Sequence, residues 1–540
     1  MIKKGTLFVV LLISVCGALQ AQQMNYTLQR DYLWGIDKYY NNKEQNFQTF
    51  VKPFRYADIY QINDSNATFP RGFVGIKSET KSNDKNEDKS RIEISPLVVA
   101  ETGYQLGSLS RMTNDLAIGA SLNGDIGKKF SFNFKALAGR AVFNSSTDSI
   151  VRQTHVVPGM GYAYRANTDS LNTMYAYQYY SGYLSYSPNK IFNFQVGNDK
   201  QFWGDGYRSL FLSDVAAPYP YLKITTNIWH LTYVNLYTMM KDVTNPSGMK
   251  SDWLNKYATF HYLGWNVTKR INVGLFESIV WQGSDSTRYR GYDVNYLNPV
   301  MFYRPTEYSL GSTDNALLGF SVKIKLWKKQ QVYGQLLLDE FLLKEVGADV
   351  KHVVLSDNSG KWGWWANKQA VQLGLKSFDL FGFNGLNFQT EYNLVRPYTY
   401  SHGSVQQNYG HFNQPLAHPL GANFWEQSAF LNYRIKRFFI EAKLVYAVYG
   451  ADSAGTDYGK NIFISYTNHQ SLYYNFTTQG FQATLITSSL RVAYVLDARM
   501  NLKLELGLVN RTIKTTSTTQ QSPGIFIALR TDLCNLYSDY

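Results

Sequence analysis

Between Gly197 and Trp229 the chain reads GNDKQFWGDGYRSLFLSDVAAPYPYLKITTNIW, and Asp199, Lys200, Trp203, Asp205, Tyr207, Arg208 and Asp214 crowd into it. Planar aromatic faces beside carboxylate and guanidinium groups suit sugar rings and their hydroxyls, through stacking and paired hydrogen bonds. Gly204 and Gly206 permit a tight reversal that side chains would block. The competing reading is structural: a loop folded into an interior, with Arg208 paired to an inward carboxylate. Composition alone weighs the two evenly.

Two further segments set polar groups on stiff backbone. NPVMFYRPTE carries Tyr303, Arg304 and Glu307 beside Pro299 and Pro305, and NYGHFNQPLAHPLGANF carries His411, Gln414, His418 and Asn423 among prolines and glycines. Rigid loops bind ligands at little ordering cost. The glycan-binding candidates are therefore Asp199, Trp203, Asp205, Tyr207, Arg208, Tyr303, Arg304, Glu307, His411, Gln414 and His418. Trp203, Tyr207 and Tyr303 favour glycan contact, whereas structural salt bridges are favoured for Arg304 and Glu307. His411 and His418 stand seven apart in a proline-containing loop with His402 upstream, and no CxxC or HExxH occurs, so hydrogen-bonded or solvated histidine is favoured over zinc. No GxSxG occurs, and the adjacent Asp339 and Glu340 sit in an alternating run that points them to opposite faces. No catalytic residue, metal or cofactor is expected.

The elements that must hold these groups are strands. From Glu93 to Leu533 the chain repeats alternating apolar and polar runs: Phe130, Phe132 and Phe134 oppose Ser131, Asn133 and Lys135; Leu502, Leu504, Leu506 and Leu508 oppose Lys503 and Glu505; Ile440, Ala442 and Leu444 oppose Glu441 and Lys443. A tilted strand crossing a bilayer needs about 9–11 residues with lipid-facing and lumen-facing side chains in alternation. No run of about 18 apolar residues follows the N-terminal region, so a membrane role requires a barrel. Mean hydropathy is −0.30 despite 16% aromatic residues, 42 of them Tyr, which agrees with an apolar face concealed in alternation.

Tight turns are expected at 124–129, 187–190, 225–228, 268–271, 328–331, 381–385, 435–438 and 496–500. Longer segments rich in Gly, Asn, Ser, Asp and Tyr fall at 144–173, 205–219, 243–256, 282–315, 342–369, 400–423, 451–478 and 512–522, after a first short one near 108–113. Short periplasmic turns and long extracellular loops orient a bacterial outer-membrane barrel. The expected fold is all-β: a transmembrane outer-membrane antiparallel β-barrel of about 18 strands over 91–540, with both termini periplasmic. Tyr540 on the closing strand reads as an assembly signal.

Lys3 and Lys4 precede an apolar run from Leu7 to Val15, and LQA at 19–21 ends in a small residue, so 1–21 reads as a signal peptide. Its removal takes Cys16 and leaves Cys534 as the only cysteine, without an intramolecular disulfide. Residues 22–90 break the strand pattern. DYLWGIDKYYNNKEQNFQTFVKPFRYADIYQ has mixed apolar spacing, and 78–91 is a charged linker. A barrel this wide passes solutes unless filled, and Leu33, Trp34, Phe47, Phe50 and Phe54 need burial, so this segment is expected to be a small periplasmic or lumenal plug. The formal net charge of +13 suggests lipopolysaccharide or acidic glycan as a partner, not nucleic acid.

Three blocks together resemble a known family: 197–229; YLNPVMFYRPTEYSLGSTDNALLGF at 296–320 with YGQLLLDEF at 333–341; and NYGHFNQPLAHPLGANFWEQ at 408–427. They are similar to the capsule-assembly Wzi family of outer-membrane proteins, nearest its gliding-motility, RemB-like branch. The resemblance implies an 18-stranded barrel with an N-terminal plug, a surface that holds exopolysaccharide, and in that branch a role in surface motility. KPFRYADIY within 22–90 departs from the helical N-terminal bundle of the enteric members, without a long amphipathic helix. Two functions follow. One is a plugged barrel whose loops 205–219, 296–315 and 400–423 converge outside to hold exopolysaccharide or an adhesive partner, with gliding or secretion machinery as a further partner. The other is an anion-preferring channel, or a component of a surface or secretion complex, with inward Lys135, Lys323, Lys325 and Lys503 selecting anions.

Overall fold

The computed structural model describes residues 24–43, 47–59, 74–78, 90–107, 110–167, 172–244, 250–284, 289–300, 314–340, 342–356, 360–453, 455–531 and 534–540. The expected signal peptide and most of the charged linker lie outside them. Eighteen antiparallel strands close into a barrel: β1 (Ser90–Gln105), β2 (Arg111–Ile126), β3 (Phe130–Val142), β4 (Tyr175–Tyr186), β5 (Phe192–Asp199), β6 (Tyr219–Ile228), β7 (Leu231–Asp242), β8 (Leu254–Asn266), β9 (Ile271–Gln282), β10 (Asn315–Trp327), β11 (Gln330–Leu338), β12 (Gln369–Ser377), β13 (Leu386–Val395), β14 (Phe424–Ile435), β15 (Phe438–Ala451), β16 (Phe481–Asp497), β17 (Leu502–Thr515) and β18 (Thr519–Arg530). Each pairs with its neighbour in sequence. β18 returns to β1 with Gly524 opposite Gln105 and Arg530 opposite Val99. Closure leaves no barrel strand with an open edge, as a strand in hydrocarbon requires.

The alternation places side chains as expected. On β17, Leu504, Leu506 and Leu508 are 44–50% exposed on the outer wall, whereas Lys503 and Glu505 are 5% and 1% exposed inside. Phe130 and Phe134 face out and Ser131 faces in.

Connections alternate between short turns at one end and mostly long loops at the other. Two expected connections move. Thr225–Ile228 continues β6, and the reversal falls at Trp229–His230, where Trp229 takes φ 54°. Nothing in Trp-His signals a turn, because the residues that favour positive φ are absent. Lys436 at the β14–β15 turn is equally atypical at φ 51°, while Gly127 and Asn501 supply the usual chemistry at two others. At the other correction, β17 and β18 run through most of 512–522 and leave only 516–518 as their link.

Inside the turn end lies a helix, α1 (Arg30–Lys43), which the sequence reading missed. Tyr32, Ile36 and Tyr40 recur at helical spacing and bury one face against Tyr26, Phe54 and Ile59. Asp31 sits in the first turn, where the helix dipole favours a carboxylate. The opposite face is polar because it meets the polar inner wall, so no long apolar stripe reveals the helix. Val74–Ser78 adds a short strand along β1 below β18, extending the same sheet.

Candidate functional site: the barrel interior

The segment between β5 and β6, residues 200–218, turns into the lumen. Trp203 and Phe202 pair antiparallel with Val51 and Lys52, and the Gly204 N–H donates to the Phe50 carbonyl at 2.8 Å. Trp203 is fully buried among Phe260, Tyr262 and Phe276, with ring centroids 6.1–6.2 Å away. Phe50 stacks on Tyr262 at 4.4 Å, and Phe211 on Phe276 at 4.5 Å. The largest apolar core of the barrel therefore joins the N-terminal segment, this loop and β8–β9.

Beside that core stands a charged cluster. Arg208 donates through Nε and Nη2 to Glu426 on β14 at 3.3 and 3.2 Å, and through Nη2 to Asp539 at 3.1 Å. The Tyr207 hydroxyl donates to Asp539 at 2.6 Å, and Lys443 of β15 donates to the same carboxylate at 2.8 Å. Burial alone would raise the Asp539 carboxyl, but Arg208 and Lys443 more than offset it and hold it well below the usual carboxylate range. Glu391 of β13 accepts the N–H groups of Tyr207 and Arg208 at 2.7 and 3.1 Å. That carboxylate lies where a side chain on residue 206 would stand, which is why the position is glycine. Neither Gly204 nor Gly206 has a positive φ, so at Gly206 the close approach of Glu391 is the reason and not turn geometry.

Asp539 belongs to the C-terminal tail, which overturns the expected place of Tyr540. The closing strand ends at Arg530, and residues 534–540 fold back into the lumen. Asn535 and Tyr537 donate to Asp214 at 2.8 and 2.7 Å, and the Tyr540 carbonyl accepts from Arg511 at 2.7 Å. Apolar packing and ion pairing, not strand pairing, place the last residues.

From the turn end the N-terminal segment presses on the same wall. Asp31 accepts from Arg491 at 2.7 Å and from Lys503 at 2.9 Å; Asp37 accepts from Lys376 at 2.6 Å; Arg30 meets Glu441 at 3.3 Å. Lys325 donates to the Tyr40 carbonyl at 2.9 Å, and Lys323 donates to Thr49 and stands 3.7 Å from Asp205. Burial lowers the Lys52 amine to about 8 although Asp205 opposes the shift. Lys323, Lys325 and Lys503, three of the lysines expected to select anions, are thus engaged with the interior segments. Lys135 lines a cavity of about 100 Å³ together with Asp199 and Tyr183. Other cavities, of about 260 and 220 Å³, lie between the N-terminal segment and the wall.

On the loop side, residues 396–423 cover the inward loop. The Tyr400 and Tyr409 hydroxyls donate to the Leu210 and Phe211 carbonyls at 2.8 and 2.5 Å, and Gln414 accepts from the Ala217 N–H at 3.0 Å. Three histidines hold this lid in one protonation state. The Nδ1 atoms of His402, His411 and His418 accept from the N–H groups of Ser404, Lys241 and Leu420 at 3.3, 3.0 and 3.2 Å. Burial pushes His402 down to about 4 and His411 down to about 3. His418 is lowered by burial too, though its Nε2 bonds Glu426 at 3.0 Å.

The structure thus gathers Trp203, Asp205, Tyr207, Arg208, Gln414 and His418 into one interior, with Asp199 and His411 at its edge, all but Asp199 buried. The direct sugar contact expected of Trp203 and Tyr207 is not available in this arrangement, because their rings are covered by Phe276, Phe430 and Arg30. The loop 205–219 does not converge outside, for the same reason. Tyr303, Arg304 and Glu307 lie outside the described residues. Asp339 and Glu340 follow the end of β11 and share Lys368 at 3.2 Å each, not opposite faces of a strand. The partners that sequence reasoning missed, Asp539, Glu426 and Glu391, carry no local motif.

The fold and this filled interior define an outer-membrane-type β-barrel of 18 strands. No protein-family model matches the chain. No curated protein matches it. Among solved structures it is similar to Wzi of Escherichia coli, described as an outer-membrane protein involved in group 1 capsule assembly and a carbohydrate-binding β-barrel, at 14% identity over 94% of this chain and 100% of that one, TM-score 0.55. Pseudomonas aeruginosa OprD matches at 10% identity, 84% and 100% coverage and TM-score 0.41. Acinetobacter baumannii OccAB2 matches at 11% identity, 81% and 97% coverage and TM-score 0.41.

Proposed function

We propose that this chain is an outer-membrane protein that binds or organises exopolysaccharide at the cell surface, with its long loops outside and residues 24–43 and 47–59 acting as a lumenal plug entered from the periplasm. The observation that carries this reading is the joint engagement of Arg208 by Glu426 of the wall and Asp539 of the tail. It ties inward loop, wall and tail into one packed interior. A channel that selects anions needs free cations along its path, whereas Lys323, Lys325 and Lys503 are spent on Thr49, Tyr40 and Asp31. Similarity of fold to a carbohydrate-binding capsule-assembly barrel supports the choice of ligand. The finer assignment to surface motility rests on the three sequence blocks alone. Contacts with lipopolysaccharide follow from the outer-membrane setting and the basic charge.

Affinity electrophoresis tests the reading. The detergent-solubilised protein is run in native gels with and without surface polysaccharide extracted from the cells that make it. Retardation by the polysaccharide is expected; equal mobility in both gels would contradict the proposal.

A further inference from the structure

Two loops far apart in sequence meet at the loop end and carry a cluster of aromatic side chains that takes no part in filling the lumen. One is the link between β11 and β12, which includes the helix α2 (Leu343–Leu355) and the run GKWGWWANK at 360–368; the other is the β15–β16 link, with SLYYNF at 471–476. Main-chain bonds clip them together. The Trp365 N–H donates to the Leu472 carbonyl at 3.1 Å, Tyr474 to Trp362 at 2.7 Å, and Asn475 to Gly363 at 2.9 Å. Gly363 has φ 66°, and a Cβ there would meet the Asn475 backbone, so both the turn and the clip require glycine. Asp349 of α2 anchors the clip from behind, accepting from the Gly363 N–H at 2.6 Å and the Asn367 amide at 2.9 Å, and pairing with Arg396 at 3.3 Å.

The rings are held in fixed attitudes. His352 stacks flat on one face of Trp362 at 3.9 Å, and Tyr474 meets that indole edge-on at 5.6 Å. Trp365 stacks on His469 at 4.4 Å, with Trp364 beside it. The Lys361 ammonium lies 5.0 Å from the Tyr473 ring centre. Tyr474 is 55% exposed and Phe476 53% exposed, while Trp362, Trp364 and Tyr473 are half-buried. Around them Thr467, Asn468, Gln470 and Ser471 present hydroxyl and amide groups to solvent.

Exposed aromatic rings on an ordered frame are costly to leave in water, and a contiguous patch of them marks an interaction site. Rings that are already fixed lose little freedom on binding, and an apolar face edged by hydroxyls and amides matches the two sides of a pyranose ring better than it matches an acyl chain. We infer that the patch formed by Trp362, Trp364, Tyr473 and Tyr474, with Lys361 at its rim, is the binding platform for a pyranose polysaccharide. The inference rests on the carbohydrate reading above and gives that reading a site on the outer face, apart from the buried Trp203 cluster.

The test uses the same affinity gels and the same extracted polysaccharide, with Trp362→Ala, Tyr474→Ser and Lys361→Ala in the full-length protein. Folding of each is checked by the faster migration of the unheated barrel in detergent gels. Each aromatic variant should weaken retardation about fivefold, and Trp362→Phe should restore most of it. Tyr474→Ser and Lys361→Ala change exposed side chains, so they remain informative if Trp362→Ala misfolds. A wild type that is retarded together with equally retarded folded variants overturns the platform alone. A wild type that is not retarded overturns the carbohydrate reading and the platform with it. Variants whose binding to lipid micelles falls while polysaccharide retardation stays intact also overturn it, in favour of a membrane contact.

Discussion

Arg208 and Asp539 stand 331 positions apart in the chain and meet at 3.1 Å in the barrel interior, each side chain 1% exposed. Removing one member of a buried pair strands the other, at a cost of about 3–5 kcal/mol. Arg208→Ala leaves both Asp539 and Glu426 without their guanidinium, so it should lower the temperature at which the folded barrel converts to its slow-migrating form. Asp539→Asn keeps the Tyr207 contact and should cost less. Equal heat resistance of wild type and Arg208→Ala would refute the latch.

Gly206 and Gly204 should differ in tolerance although they are neighbours in one loop. An alanine at 206 collides with the Glu391 carboxylate that holds the Tyr207 and Arg208 N–H groups; at 204 it meets the Gln335 amide at 3.1 Å and the Phe202 ring and Ser209 Cβ at 3.3 Å. Overpacking of this kind costs about 1–3 kcal/mol. Urea midpoints in detergent should therefore fall further for Gly206→Ala than for Gly204→Ala. The reverse order would mean that Glu391 does not approach the loop.

Asp31 anchors the N-terminal segment through Arg491 and Lys503, and these cations hold its carboxyl well below the ordinary range against the effect of burial. Asp31→Ala should loosen the segment by about 1–3 kcal/mol. Trypsin would then cleave within residues 24–59 faster than in the wild type, with the barrel itself intact. An unchanged cleavage rate would show that the segment is held elsewhere.

The histidine lid gives a pH dependence with a definite sign. His402 and His411 titrate at about 4 and about 3 in the folded chain, below their ordinary 6.5, so the folded form binds fewer protons than the unfolded form beneath pH 6.5. Stability is present above that value and is lost as pH falls towards 4 for His402 and 3 for His411. A proton on Nδ1 of His411 faces the Lys241 N–H and expels it. Protease cleavage within 396–423 should accelerate on acidification from about pH 7 to about pH 4.5. His411→Asn, whose amide oxygen accepts the same N–H without titrating, should flatten that dependence. A pH-independent rate in the wild type would contradict neutral, buried histidines.

The barrel was legible because its wall obeys a period of two: once Leu504 faces lipid, Lys503 and Glu505 must face inward, and Ser131 likewise opposes Phe130 and Phe134. Turns were legible where Gly or Asn marked them, as at Gly127 and Asn501, and not at Trp229, which takes positive φ without a turn residue's signature. The interior was only partly legible. The apolar character of Trp34, Phe50 and Phe54 required burial, and Arg208 required an inward carboxylate as one of its two readings. Which carboxylates they are depends on contacts across hundreds of residues, and Asp539 in particular stands in a tail whose aromatic end looked like a strand terminus. Burial of Trp203 and Tyr207 was illegible for a related reason, since an exposed sugar-stacking ring and an interior ring present the same letters. Trp362, Trp364 and Trp365 fall in a stretch read only as the long segment 342–369, and their convergence with 471–476 was not legible.

The most direct measurement is the current through the intact protein in a planar lipid bilayer. With the lumen occupied by residues 24–43 and 47–59, the inward loop 200–218 and the tail 534–540, no steady ion current is expected, and removal of residues 24–59 should open one. A steady conductance through the intact chain would contradict the filled barrel and return the anion-selective channel.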